Sequence, residues 1–271
     1  MTLALEHIRY LSDSEHRITV LELLLETPQT QTDLRERAEA STATVSRVVR
    51  SFEDRDWVRR RNGSYELTPV GRFVATEFIG LHDRLEAVER LQDIVEWLPI
   101  EIVDLGLDCL ADASLTFPTS NNPMATIERT TELGRHASMS RALSHYLPTM
   151  CMDGHLAALN EGTQTLVSVF NRGIYETIAG SSPEGSQKVL EVLDSARATL
   201  YVYEGDVPYA LGIMDEVVYV GVENDMGVMV GLIETTDQRV FDWAVDTFED
   251  YRDEATLMTR ESFQQLRPTT A

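Results

Sequence analysis

Lysine is almost missing from this chain. Lys188 is the one lysine in 271 residues, beside 22 arginines. Cysteine is nearly as scarce. Cys109 and Cys151 lie far apart in sequence and away from any histidine cluster, which excludes a zinc-finger spacing. Buried free thiols are the expectation, and a redox role depends on a distance that sequence cannot give. No apolar run approaches the ~20 residues that a membrane-spanning helix needs. The segment Met1–His7 has no basic stretch followed by an apolar one, so the expected location is the cytoplasm. Glycine-rich phosphate loops of the dinucleotide or Walker type are absent, as is any spacing that argues for a Ser-His-Asp or Cys-His site. His136, His145 and His155 are scattered. No metal site, no cofactor and no catalysis are therefore expected.

Acid is what the chain has in excess. Its net charge is −22 with 43% hydrophobic residues, enough for ordinary globular cores. The acid is uneven. Between Ser41 and Arg72, 7 arginines face 4 acids, whereas most of the remaining sequence is strongly negative. Strong acidity with near-absence of lysine resembles the proteins of extreme halophiles; an acidic mesophile protein is the alternative. In roughly molar salt the Debye length shrinks to about 3 Å, so counterion release would add little to phosphate binding. Specific contacts and dimerisation would then carry the affinity.

The basic window reads as a winged helix-turn-helix. A first helix is expected from about Ser14 to Glu26, stopped by Pro28. Thr30-Gln31-Thr32-Asp33 has the form of a capping box and opens a support helix ending near Ala38. Ser41 can cap a recognition helix running to about Arg55. Val45, Val48, Val49 and Phe52 mark its buried face. Thr42, Thr44, Ser46, Arg47 and Arg50 lie on the other, the side chains suited to base edges and phosphates. Asn62-Gly63 predicts a tight hairpin, placing Arg59, Arg60, Arg61 and Tyr65 on a wing. The implied partner is double-stranded operator DNA.

Thr68-Pro69 opens a long helix expected to reach Leu98. Val74, Phe78, Leu81, Leu85, Val88, Leu91 and Val95 recur at spacings of three and four, which suits a seam against a second copy or packing on the chain's own C-terminal half. The expected layout is a winged helix over 1–68, a connector and dimerisation helix over 69–98, and an α/β domain over 99–271. In that last part Thr165–Phe170 is the clearest buried strand. Ala210–Met214, Val217–Glu223 and Val228–Glu234 suggest an antiparallel meander, and Asp237 caps a final helix.

The segment Tyr201-Val202-Tyr203-Glu204-Gly205-Asp206-Val207-Pro208-Tyr209, with Val230–Asp237 and Trp243–Arg252, resembles archaeal winged-helix regulators of the methanogenesis-regulator (FilR-like) and TrmB type. The resemblance implies a sequence-specific transcriptional regulator with a C-terminal effector domain, similar to a phospholipase-D sheet. That superfamily's catalysis needs His-x-Lys, and Lys188 is preceded at that spacing by Ser186, so phosphodiesterase activity is not expected. The resemblance supplies no ligand residues. Because ligands of α/β sheets gather at strand ends, the candidates are Arg141, His145, Asn171, Arg172, Glu204, Asp206 and Tyr209, with Arg141 and Arg172 suited to a small anionic effector. The fold class expected is α/β, and the function expected is a dimeric DNA-binding regulator answering a small-molecule or metabolic signal. An architectural DNA-binding protein without a ligand is the alternative.

Overall fold

The computed structural model describes residues 3–266 and divides into two compact units, one through Glu89 and one from Arg90 onward.

Among the described residues the first unit contains five helices and a hairpin: α1 (Leu3–Ser12), α2 (Glu15–Glu26), α3 (Gln31–Arg37), α4 (Thr42–Glu53), β1 (Val58–Arg61), β2 (Ser64–Leu67) and α5 (Pro69–Leu91), whose last two residues belong to the second unit. Local chemistry sets its punctuation. Thr30 Oγ1 accepts the Asp33 N–H while the Asp33 carboxylate accepts the Thr30 N–H at 2.9 Å, a reciprocal cap that starts α3. Ser41 Oγ accepts the Thr44 N–H at 3.1 Å and starts α4. Between β1 and β2, Asn62 and Gly63 both hold positive φ (50° and 85°), as a two-residue hairpin requires. Leu21, Leu24, Leu34, Val45, Phe52 and Trp57 fill the core. Gly71 is obligatory at the start of α5, because an added Cβ would fall 1.8 Å from the Trp57 carbonyl oxygen.

Two expectations need correction here. The helical core has an additional member, α1, whose Leu11 is buried and whose Tyr10 ring stacks under the guanidinium groups of Arg17 and Arg55 at 4.0 and 3.7 Å. The long helix stops at Leu91, short of Leu98. Leu91, Ile94 and Leu98 enter the core of the second unit through a short 3-10 turn at Val95–Trp97, and that burial outweighs continued helix.

The second unit is a three-layer α/β domain. In chain order it contains α6 (Ile100–Leu105), β3 (Ser114–Thr116), α7 (Ala125–His136), β4 (Met139–Ser144), α8 (Thr149–Glu161), β5 (Thr165–Asn171), α9 (Arg172–Ser181), α10 (Pro183–Asp194), β6 (Ala198–Tyr203), β7 (Ala210–Met214), β8 (Val217–Glu223), β9 (Met229–Thr235), α11 (Gln238–Glu254), β10 (Thr256–Leu257) and α12 (Arg260–Gln265). One sheet runs in the order β10-β6-β5-β4-β7-β8-β9-β3. β4, β5 and β6 are parallel and joined through helices, while β7, β8 and β9 form an antiparallel meander.

Because side chains alternate along a strand, the sheet feeds two cores. Leu143, Val169, Leu211, Val220 and Ile233 point to the layer holding α11, where Val240, Ala244 and Phe248 meet them. Leu166, Phe170, Leu200 and Val202 point the other way, to α8, α9, α10 and α12. The short β10 and α12, which the sequence did not announce, close one edge; Phe263 of α12 is fully buried. No helix among the described residues is long and apolar enough to cross a membrane.

Candidate nucleic-acid interface

The two faces of α4 differ sharply. Val45, Val48, Val49 and Phe52 are buried, and Thr42, Ser46, Arg47 and Arg50 are exposed. Thr44 is half-buried with its Oγ1 2.9 Å from the capping Ser41 Oγ. Ser46 Oγ accepts a hydrogen bond from Gln31 Nε2 of α3 at 2.7 Å. Gln31 therefore braces α4, a role that its position in the support helix did not reveal. Arg47 and Arg50 have no acidic partner among the described residues, so both guanidinium groups are free to take planar, bidentate acceptors.

The wing is less open. Arg59 Nε donates to Glu66 Oε1 at 2.7 Å, and Arg61 lies 3.8 Å from the same oxygen. Arg60 stands with its guanidinium 5.6 Å from the centre of the Tyr65 ring. Tyr65 itself is buried, since it shares the inner face of β2 with Leu67. Its backbone exchanges hydrogen bonds with Gln29 at 3.0 and 2.7 Å. The ring supports the wing from inside and does not project from it.

In the same unit, His82, Asp83 and Glu86 of α5 present side-chain ligand atoms within 4.8 Å of one another. Glu22 of α2 has its carboxyl pushed up, first by burial and then by the negative Asp83. His82 and Glu86 stand four residues apart on one helix, a spacing that sequence reading passed over; only the approach of Glu22 depends on α2 and α5 being neighbours.

The seven ligand candidates of the second unit do not share one constellation, since its three basic members are tied to different acids. Arg141 points to the α11 side, its Nη1 3.9 Å from Glu249, with its Nε buried and without a hydrogen-bond partner. His145 Nε2 is 3.0 Å from Glu223, and that hydrogen bond raises the imidazole pKa against the opposing effect of burial. Asn171 serves as the cap of α9, accepting the Ile174 N–H. Arg172 makes two hydrogen bonds to Glu204, a neutralised pair at the ends of β5 and β6. Asp206 is exposed. Tyr209 is buried against Trp243, its hydroxyl pKa raised by desolvation.

Cys109 and Cys151 are free and buried, and burial pushes the Cys109 thiol up to about 11, so neither is poised as a thiolate. Lys188 is paired with Asp153 at 2.7 Å and Glu184 at 2.8 Å. One feature of the second unit was missed entirely from sequence: a cavity of about 80 Å³ on the sheet face away from Arg141, against α7–α10. Its trace in the sequence is the small or hydroxylic residues Ala142 and Ser168 inside otherwise apolar strands.

Comparison with known proteins matches residues 5–90 to the HVO_A0261 N-terminal domain and residues 123–254 to the middle domain of the methanogenesis regulatory protein FilR1. Among solved structures, the chain is similar to TrmBL2, described as an archaeal chromatin protein, at 14% identity over 93% of this chain and 99% of that one, with a TM-score of 0.43. It is similar to Nuc, a phospholipase D family member from Salmonella typhimurium, at 11% identity over 54% of this chain and 99% of that one, TM-score 0.42. The adhesin competence repressor AdcR of Streptococcus pyogenes shares 23% identity over 38% of this chain and 85% of that one, TM-score 0.27. At these TM-scores the structural likenesses carry no argument. No curated protein matches the sequence.

Proposed function

We propose that this chain, whose residues 5–90 and 123–254 match the HVO_A0261 N-terminal and FilR1 middle domains, reads operator DNA through α4 and passes a signal to it from residues 90–271. The observation that carries the reading is the pair Arg47 and Arg50. They are exposed on a capped helix whose opposite face is anchored in the core, and no acid neutralises them. A helix so held can enter a major groove, where arginine forks onto the O6 and N7 of guanine. Arg59, Arg60 and Arg61 lie on a hairpin of the size that reaches a neighbouring phosphate strand or minor groove.

The working unit is a homodimer. On α5, Leu81, Leu85 and Val88 remain exposed at 43%, 58% and 40%, as do Val70 and Phe73 on its first turns. Pairing would cover that stripe and bring two recognition helices into one assembly, as reading half-sites one turn, about 34 Å, apart requires. The protein is a regulator and not an enzyme: its one lysine is held by two acids, and the His-x-Lys signature of phospholipase D catalysis is missing. Its place of action is the cytoplasm.

The test is fluorescence anisotropy on a duplex recovered by selection from random DNA, in high salt. The double variant Arg47→Ala, Arg50→Ala should lose about 100-fold in affinity for the selected duplex, the equivalent of two base contacts. Unchanged affinity with unchanged sequence preference would remove α4 as the reader.

A further inference from the structure

We propose that the cavity between the sheet and α7–α10 binds a small neutral molecule, mostly apolar, bearing one hydroxyl or carbonyl group. The proposal rests on the reading that residues 90–271 report a chemical signal, and it gives that signal a chemical class.

The space arises from register. Ser168 of β5, Ala142 of β4 and Gly212 of β7 stand side by side across three adjacent strands. The neighbouring pair Ala210 and Gly221 continues the run of small residues into β8. Ser168, Ala142 and Ala210 leave depth above the sheet, whereas the Tyr219 ring lies over Gly212 and the Met229 side chain over Gly221. Larger residues form the walls, among them Leu166, Phe170, Met152 and Val189, while Tyr146 and Met229 stand nearer solvent. A water needs roughly 10–15 Å³ for its centre. At about 80 Å³ the cavity therefore suits a molecule of roughly five to eight non-hydrogen atoms.

The lining also selects for charge. A quarter of the chain is charged, yet no Arg, Lys, Asp or Glu contributes to this cavity. His155, which does, has its pKa lowered by burial, so it offers no cation at neutral pH. An anion placed here would lose its hydration with no counter-charge in return. The polar capacity is neutral and specific. Ser168 is 2% exposed and Tyr219 is 7% exposed, and neither hydroxyl has a hydrogen-bond partner among the described residues. Two hydroxyls at the floor of an apolar space can hold one carbonyl or hydroxyl and orient the rest of the molecule against the walls. The class differs from the anionic effector suggested by Arg141 and Arg172, which lie outside this lining and face Glu249 and Glu204.

The test uses the full chain with labelled methionine methyl groups in high-salt buffer, and three probes: xenon, phenol and pivalate, an anion with as many non-hydrogen atoms as phenol. Xenon and phenol should each shift the Met152 and Met229 methyl signals saturably. Pivalate should bind at least about tenfold more weakly than phenol, because its charge goes uncompensated. Ser168→Ala should weaken phenol several-fold and leave xenon unchanged. Equal binding of pivalate and phenol would overturn the neutral class, and no methyl shift with xenon or phenol would overturn the cavity itself. DNA affinity is recorded alongside. Methyl shifts with unaltered DNA affinity would support the binding site and contradict the signalling reading on which it was built.

Discussion

Arginine does different work in the two units. On α4 of the first unit, Arg47 and Arg50 are exposed and face no acid. In the second unit, Arg129, Arg172, Arg239, Arg252 and Arg260 are each locked to a carboxylate at hydrogen-bonding distance. Arg9, Arg72, Arg135 and Arg197 also lack a carboxylate partner among the described residues, so what sets Arg47 and Arg50 apart is that both stand on the outer face of one capped helix. The contrast is between two cations displayed together on one helix and cations tied into ion pairs.

The strongest challenge to that contrast is the double arginine variant on α4, with its expected loss of about 100-fold in DNA binding and no change in melting temperature. The complementary change is Arg129→Ala. Arg129 makes three hydrogen bonds to Glu234, whose side chain is 6% exposed, and removing it strands a carboxylate under α7. Denaturant unfolding should show a loss on the order of 2 kcal/mol, allowing for the solvent that reaches Arg129 itself, with DNA affinity per folded molecule unaltered.

A smaller effect is expected at His145. Its folded pKa is raised by the hydrogen bond to Glu223, so the stabilisation is complete below the unfolded value of 6.5 and is lost as pH rises through the raised folded value. Imidazole signals followed by NMR should titrate above pH 6.5 in the parent and move back down in Glu223→Gln. An unmoved titration would mean that Glu223 is not the cause. On the wing, Glu66→Gln frees Arg59 and Arg61 and should tighten DNA binding about threefold, with a salt slope steeper by about one unit. Arg172→Ala is the mildest. The pair with Glu204 lies in solvent, and no change in melting temperature is expected.

What the sequence disclosed follows from how local each signal is. Thr30 with Asp33, Ser41, and Asn62-Gly63 are decided within four residues, and the helix-turn-helix and hairpin stand where those signals put them. The strands Ala210–Met214 and Val217–Glu223 were equally plain, as buried runs parted by Asp215-Glu216, where Asp215 takes the left-handed turn conformation. α1 was missed because it meets the core through the rings of His7 and Tyr10 beside Leu11, while Leu5 and Ile8 stay exposed, so its inner face carries no aliphatic period. The end of α5 was misjudged because the same apolar spacing serves helix in the first unit and turn in the second.

The candidate sites divide in the same way. The exposed face of α4 is a property of one helix and can be read from spacing. The strand-end candidates of the second unit depend on partners far away in sequence, such as Glu223 for His145 and Glu204 for Arg172, and no local pattern discloses them. The cavity depends on register among four strands, which sequence carries only as small residues in odd places.

Selection of bound duplexes from a random DNA pool, in high salt and with the full chain, tests the central claim most directly. The account predicts a two-fold motif with half-sites about one helical turn, roughly 10 base pairs, apart, and loss of that motif in the Arg47→Ala, Arg50→Ala variant. Enrichment of no motif, or of the same motif by parent and variant, would contradict it.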